Sequence, residues 1–135
     1  MKARRRGARR RAIDILFQAD AMGRSPSAVL AEREGVEERV PEYAREVIAA
    51  IEPRLGEIDR LLGEASEEWT VARMAAVDRA ILRVAVYELL WREDVPVAVA
   101  IDEAVELAKE LSTADSGGFV NGVLGRIARD HAETA

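Results

Sequence analysis

The sequence predicts an all-α fold arranged around one central apolar helix at about residues 73–91. Three observations lead there. The stretch RMAAVDRAILRVAVYELLW, Arg73–Trp91, has eleven alanine, valine, isoleucine or leucine residues between Ala75 and Leu90. They cover most of a helical circumference, and a helix that is apolar nearly all round must be buried by neighbours on several sides. The segments before and after it repeat their apolar residues at spacings of three and four, and none alternates with period two. Glycine and proline fall mainly between these segments, where they end helices.

In chain order, residues 1–7 are expected to be a mobile basic arm ending at Gly7. A helix from Ala8 carries Ala12, Ile15, Leu16, Ala19 and Met22 on one face, and Gly23 closes it. Ser25 and Pro26 fit the N-cap and first position of a short helix over 26–34, stopped by Gly35. Pro41 restarts the chain. Ala44, Val47, Ile48, Ile51, Leu55, Ile58 and Leu62 then share one register through Pro53. A proline inside a helix removes a hydrogen bond and clashes with the preceding turn, so helices 42–51 and 53–63 are expected, joined at a kink or brief break. Trp69 is expected to plug the core and Thr70 to cap the central helix, whose charged stripe runs through Asp78, Arg79, Arg83 and Glu88. Those charges argue against a membrane span. A turn at Glu93–Pro96 precedes a helix over 97–111. There Ile101, Ala104, Val105, Ala108 and Leu111 point inward, and Asp102, Glu103, Glu106 and Glu110 point outward or sideways. A last helix follows the small polar turn 112–118.

The 135 residues suffice for one domain with its own core. Without cysteine there is no disulfide framework, thiolate metal site or thiol nucleophile. The basic N-terminus leads into an amphipathic segment rather than an apolar signal core, so a cytoplasmic location is expected. No HExxH, phosphate loop or GxSxG motif is present. Asp78, Glu88, Asp102 and Glu103 read as salt-bridged or solvated helix surface rather than as acid–base pairs. No catalytic residue, metal site or cofactor is expected, and the chain is read as not an enzyme.

The charge distribution is more informative. The net charge is −5, yet Lys2, Arg4, Arg5, Arg6, Arg9, Arg10 and Arg11 put seven positive charges in the first eleven residues. The rest holds 13 basic and 25 acidic residues. A basic run on an acidic body fits a polyanion partner for the run, or else a merely solvated tail. Asp115-Ser116-Gly117-Gly118-Phe119-Val120-Asn121-Gly122 is the most specific local feature. Asp115 or Ser116 can cap the last helix, whose free N–H groups suit an anion. Phe119 can stack on a base or sit in the core, and Gly122 reads as a close helix-packing position.

Three blocks carry a family resemblance. The first is Trp69, Arg73-Met74, Val77-Asp78-Arg79-Ala80-Ile81-Leu82-Arg83 and Val86-Tyr87-Glu88-Leu89. The second is Asp94-Val95-Pro96 followed by Val99 through Lys109. The third is Asp115-Ser116 with Phe119-Val120-Asn121-Gly122-Val123-Leu124. With Ala12 and Ile15-Leu16-Phe17-Gln18, they make a chain that resembles the bacterial transcription antitermination factor NusB family over essentially its whole length. The resemblance implies two packed three-helix bundles. It also implies binding of boxA RNA of ribosomal RNA operons together with the ribosomal protein NusE, in an antitermination complex that keeps RNA polymerase processive. RNA contacts fall by resemblance on Arg5, Arg6 and Arg9, with Lys2, Arg4 and Arg10 as further candidates, and on Asp115, Ser116, Phe119 and Asn121. The NusE surface falls near Arg73, Ala76 and Asp78; acidic contacts of some relatives are replaced here by Arg73 and Ala76. A competing reading is a NusB-like protein-interaction module, monomeric or homodimeric, without RNA specificity of its own. A free relative of the NusB-like domain of RNA-cytosine methyltransferases would likewise only bind. Helix-turn-helix DNA binding lacks a basic recognition helix.

Overall fold

The computed structural model describes residues 2–36, 39–67 and 69–132, with the side chains of Lys2, Ala3 and Ala132 outside the description. Seven α-helices are present among them: α1 Lys2–Met22, α2 Pro26–Gly35, α3 Glu42–Ile51, α4 Leu55–Ala65, α5 Ala76–Trp91, α6 Val97–Leu111 and α7 Ser116–Ile127. Helices α1, α2 and α3 pack on one another, as do α5, α6 and α7, and α4 lies against α5 and α7. Helix α5 touches α1, α3, α4, α6 and α7, which is the central position its apolar circumference demands. No helix among the described residues is long and apolar enough to cross a membrane.

The ends of several helices follow from local chemistry. Gly23 has φ +63°, and the Arg24 N–H donates to the Ala19 carbonyl at 2.9 Å, which is the Schellman closure expected of a glycine past a helix end. The Ser25 hydroxyl accepts from the Ala28 N–H at 3.2 Å, with Pro26 in the first turn. Pro53 resolves into a short 3₁₀ turn, Glu52–Arg54, so the break between α3 and α4 is real but brief.

Other expectations are corrected. Helix α1 begins at Lys2 rather than at Ala8, because Arg5 and Arg6 are tied down by acids of the later chain. The central helix begins at Ala76 rather than at Arg73: Val71–Arg73 forms a 3₁₀ turn, and Met74 and Ala75 are extended. Arg79 donates to the Val71 carbonyl at 2.9 Å and the Met74 carbonyl at 3.2 Å, satisfying groups a continuous helix would have paired itself. Thr70 makes no side-chain cap. Trp69 does not plug the core; it is 47% exposed. In α6 the buried face is Ala100, Glu103, Ala104, Leu107 and Ala108, while Ile101, Val105 and Leu111 are only half-buried. Glu103 therefore points inward, against expectation. Gly122 packs against nothing, whereas a Cβ on Gly117 would lie 3.2 Å from Lys109, so Gly117 is the close-approach position between α7 and α6.

The charged stripe of α5 does not face solvent. Arg79 reaches Asp20 at 2.6 Å and Arg83 reaches Asp59 at 2.8 Å. Asp78 and Glu88 are buried. Each side chain of the stripe meets a partner on another helix, so the stripe orients the surrounding helices while the apolar faces bury area.

Candidate nucleic-acid interface

Arg5, Arg6, Arg9 and Arg10 share one side of α1, and each meets an acid of the later chain. Arg5 pairs with Asp94 at 3.2 Å and lies over the Tyr43 ring, 4.1 Å from its centroid. Arg6 forms a fork on Glu103, at 2.9 and 2.6 Å. Arg10 pairs with Glu110. Arg9 is 4% exposed; its Nε donates to Glu88 at 2.8 Å and its NH1 to Glu103 at 3.3 Å. The Tyr43 hydroxyl donates to the same Glu88 carboxylate. Burial, and then that anionic acceptor, hold the Tyr43 hydroxyl well above the ordinary tyrosine range. The fork on Glu103 holds Arg6 firmly protonated. Hydrogen bonds from Arg92, reinforced by Arg5, lower the Asp94 carboxyl to about 2. Arg4 is exposed and makes no ion pair among the described residues.

These contacts divide the arginines expected to meet RNA. Arg4, Arg5, Arg6 and Arg10 keep accessible guanidinium surface. Arg9 does not, and its place is in the core with Glu88 and Tyr43. Glu103 and Glu110 lie seven residues apart on one face of α6, opposite Arg6 and Arg10 on α1. Two basic residues one turn apart on α1 and two acids two turns apart on one face of α6 were present in the sequence, but the unequal spacing gave no register that would have predicted the pairing.

The Arg10–Glu110 pair sets the end of the basic run against the last turn of α6, immediately before the turn that opens α7. An apolar groove of about 540 Å³ follows from there, with Phe17 of α1, Val77 of α5 and Leu111 of α6 in its wall beside Arg10 and Arg11. Phe17 is 37% exposed. Across the turn a second groove, of about 650 Å³, runs between the start of α5 and the start of α7, with Trp69, Arg73, Asp78, Asp115 and Phe119 lining it. Arg10 thus meets the end of α6 that leads into the turn before α7, while Arg5 and Arg6 meet Asp94 and Glu103 toward the other end of that helix.

Asp115 in the turn and Asn121 in α7 are exposed, and Phe119 in the first turn of α7 is half-buried. Ser116 is buried and no N-cap: its hydroxyl donates to Asp78 Oδ2 at 3.0 Å and accepts from the Thr113 N–H at 3.3 Å. It locks the turn onto α5 and has no face toward solvent. Asp115 precedes α7 without a side-chain cap. Of the residues expected near a protein partner, Arg73 is exposed, Ala76 half-buried and Asp78 buried. Lys2 belongs to α1, with its side chain outside the described residues. Among the described residues no His, Asp and Glu side chains gather as metal ligands.

The NusB family model matches residues 6–129. Transcription antitermination protein NusB of Saccharopolyspora erythraea is 54% identical over 127 residues, covering 92% of this chain and 86% of that protein. The protein of the same name from Acidothermus cellulolyticus is 46% identical, covering 93% and 87%. Among solved structures, T. maritima NusB matches with a TM-score of 0.83 at 39% identity over 95% of this chain and 92% of that one. A structure of the antitermination factors NusB and NusE in complex with double-stranded RNA matches at 0.80 and 28% identity, over 97% of this chain and 100% of that one.

Proposed function

This chain belongs to the NusB family, and on that premise we propose that it is a transcription antitermination factor that binds boxA RNA of ribosomal RNA operons together with NusE. The pair serves RNA polymerase in an antitermination complex that keeps it processive. The observation that carries the reading is the match of the NusB family model along residues 6–129, in a chain whose Arg10 is set against the end of α6 that leads into the turn opening α7.

Arg4, Arg5, Arg6 and Arg10, with Lys2, meet phosphate and set register; Asp115, Phe119 and Asn121 meet bases. An exposed ion pair contributes only about 0–1 kcal/mol, so a phosphate can take Arg5 from Asp94 or Arg10 from Glu110. Arg9 and Ser116 hold the surface in place from beneath. NusE docks near the start of α5, on Ala76 and the neighbouring apolar patch of Phe17 and Val77. It adds a second RNA-binding surface, so the pair gains by effective concentration.

The internal pairing of Arg5, Arg6, Arg9 and Arg10 favours a second reading: a protein-interaction module, monomeric or homodimeric, whose basic run serves the fold. One titration separates the two. The purified chain is titrated onto boxA RNA and onto a scrambled sequence, with and without NusE. The expected result is weak binding alone, with affinity and discrimination both raised by NusE. Equal affinity for the two RNAs in the presence of NusE assigns the chain to the second reading.

A further inference from the structure

Arg92, just past the end of α5, is a cation that the RNA reading leaves unused, and it is held beside Arg5. Its Nε and NH2 fork onto Asp94, both at 2.9 Å, and Arg5 NH1 reaches the same Asp94 Oδ2 at 3.2 Å. Both guanidiniums also lie over the Tyr43 ring, Arg5 at 4.1 Å and Arg92 at 4.9 Å from its centroid. Two cations that converge on one oxygen repel each other, so the space between them demands an anion. In the free chain that anion is Asp94.

The frame of this cradle does not depend on Asp94. Arg92 also donates to Glu46 at 3.3 Å, and the Tyr43 hydroxyl donates to Glu88, which Arg9 holds from beneath. Asp94 lies in the short turn between α5 and α6, and its side chain is 51% exposed. The place its carboxylate fills is therefore reached from solvent. Arg92 is half-buried, and the edge of its guanidinium that faces Asp94 is the one uncovered when the turn moves. Arg5 and Asp94 also border a hollow of about 320 Å³ walled by Val95, Pro96 and Val99, which leaves room for a sugar beside the cradle. Glu103, the partner of Arg6 and Arg9, is 7% exposed and has no such freedom. Fixed cations around an exchangeable carboxylate suit a phosphodiester, because an arginine fork meets the same pair of oxygens in either group.

We propose that Asp94 is an internal stand-in for a phosphate of the bound RNA: a phosphodiester replaces its carboxylate between Arg5 and Arg92, so that Arg92 is a further RNA-binding residue and Asp94 the group an RNA must displace. The inference rests on the RNA reading above and adds to it a second cation and a built-in competitor. Asp94 is tethered two residues from Arg92, so it competes at the high effective concentration of an intramolecular group. A lone anion in solution has no such advantage. A strand already anchored by Arg10 and by NusE does, because its next phosphate is tethered too. The cradle therefore opens to a strand bound at several points and stays closed to single anions.

The test uses the full chain with NusE and labelled boxA RNA, read by fluorescence anisotropy, with a thermal melt of each variant. Asp94→Asn weakens the internal competitor and should tighten binding about two- to fivefold, the scale of an exposed ion pair. Glu93→Gln removes the same charge at the neighbouring exposed position, outside the cradle, and should bind as wild type does. Arg92→Gln in the Asp94→Asn chain should cancel the gain and make the salt slope shallower by about 0.7. Arg92→Lys in that chain keeps the charge but loses the fork, and should cancel part of the gain even if the glutamine variant melts early. By NMR, the Arg92 Nε–H resonance should move when boxA RNA is added with NusE, and stay in place in inorganic phosphate at equal ionic strength. Binding by Asp94→Asn no tighter than wild type shows that the carboxylate only staples the turn, and overturns the proposal. So do equal gains in Asp94→Asn and Glu93→Gln, or a gain that survives both Arg92 changes. An Arg92 resonance that ignores RNA, or answers inorganic phosphate as strongly, overturns it too. A wild-type chain that binds no boxA RNA with NusE present defeats the RNA reading and this proposal with it; the other adverse results come from a chain that binds, and defeat the proposal alone.

Discussion

Replacing Arg9 by alanine separates an arginine that holds the fold from one that holds RNA. Arg9 and Glu88 are almost wholly buried, and Arg9 also reaches Glu103. Its removal leaves Glu88 with Tyr43 in an interior site and takes one cation from a cluster of two carboxylates. Breaking a buried pair from one side costs about 3–5 kcal/mol. For a chain of this length the unfolding entropy is roughly 0.28 kcal/mol per kelvin, so the midpoint should fall by about 10–18 °C. Arg10→Ala breaks an exposed pair and should lower it by no more than about 4 °C. Thermal melts followed by far-ultraviolet circular dichroism give both numbers. A boxA titration at a temperature where both variants are folded completes the comparison: Arg10→Ala should lose affinity and Arg9→Ala should keep most of it. An Arg9→Ala protein that melts like wild type but no longer binds RNA would refute the assignment of Arg9 to the core.

Three further outcomes are expected. If Arg4, Arg5 and Arg10 meet single-stranded phosphates, log K should fall with log salt at a slope of about −2, and the triple alanine variant should flatten it; an unchanged slope places the RNA elsewhere. Glu110→Gln removes the carboxylate that competes with phosphate for Arg10, and should tighten boxA binding by up to about fivefold; weaker binding would show that Glu110 positions Arg10 rather than occupying it. Asp94 should titrate near 2 by NMR and move toward 3.8 in Arg92→Ala. Because its folded pKa is depressed, its stabilising contribution is present above about pH 4 and is lost as pH falls through about 2. A normal Asp94 titration in the wild-type chain would show that the Arg92 and Arg5 contacts do not persist in solution.

Much of the fold was legible in the residues because it rests on local rules. Gly23, Ser25-Pro26 and Pro53 act on their own turns: the first two mark the helix ends expected of them, and Pro53 gives the expected break, with the next helix beginning at Leu55 rather than at Pro53. The all-apolar circumference of the central segment likewise requires burial whatever the neighbours are. The family itself was legible too, through a resemblance carried by specific blocks along the chain. What local rules leave open is the fate of a charge. Glu88, Glu103, Asp78 and Arg9 read as surface residues because charged side chains are ordinarily solvated. Each is buried because a complementary group on a distant helix meets it: Arg9 for Glu88, Arg6 for Glu103, Ser116 for Asp78. Those partners lie 38 to 97 residues away in the chain. Tertiary packing alone decided which arginines remain available to a ligand and which are spent in the core.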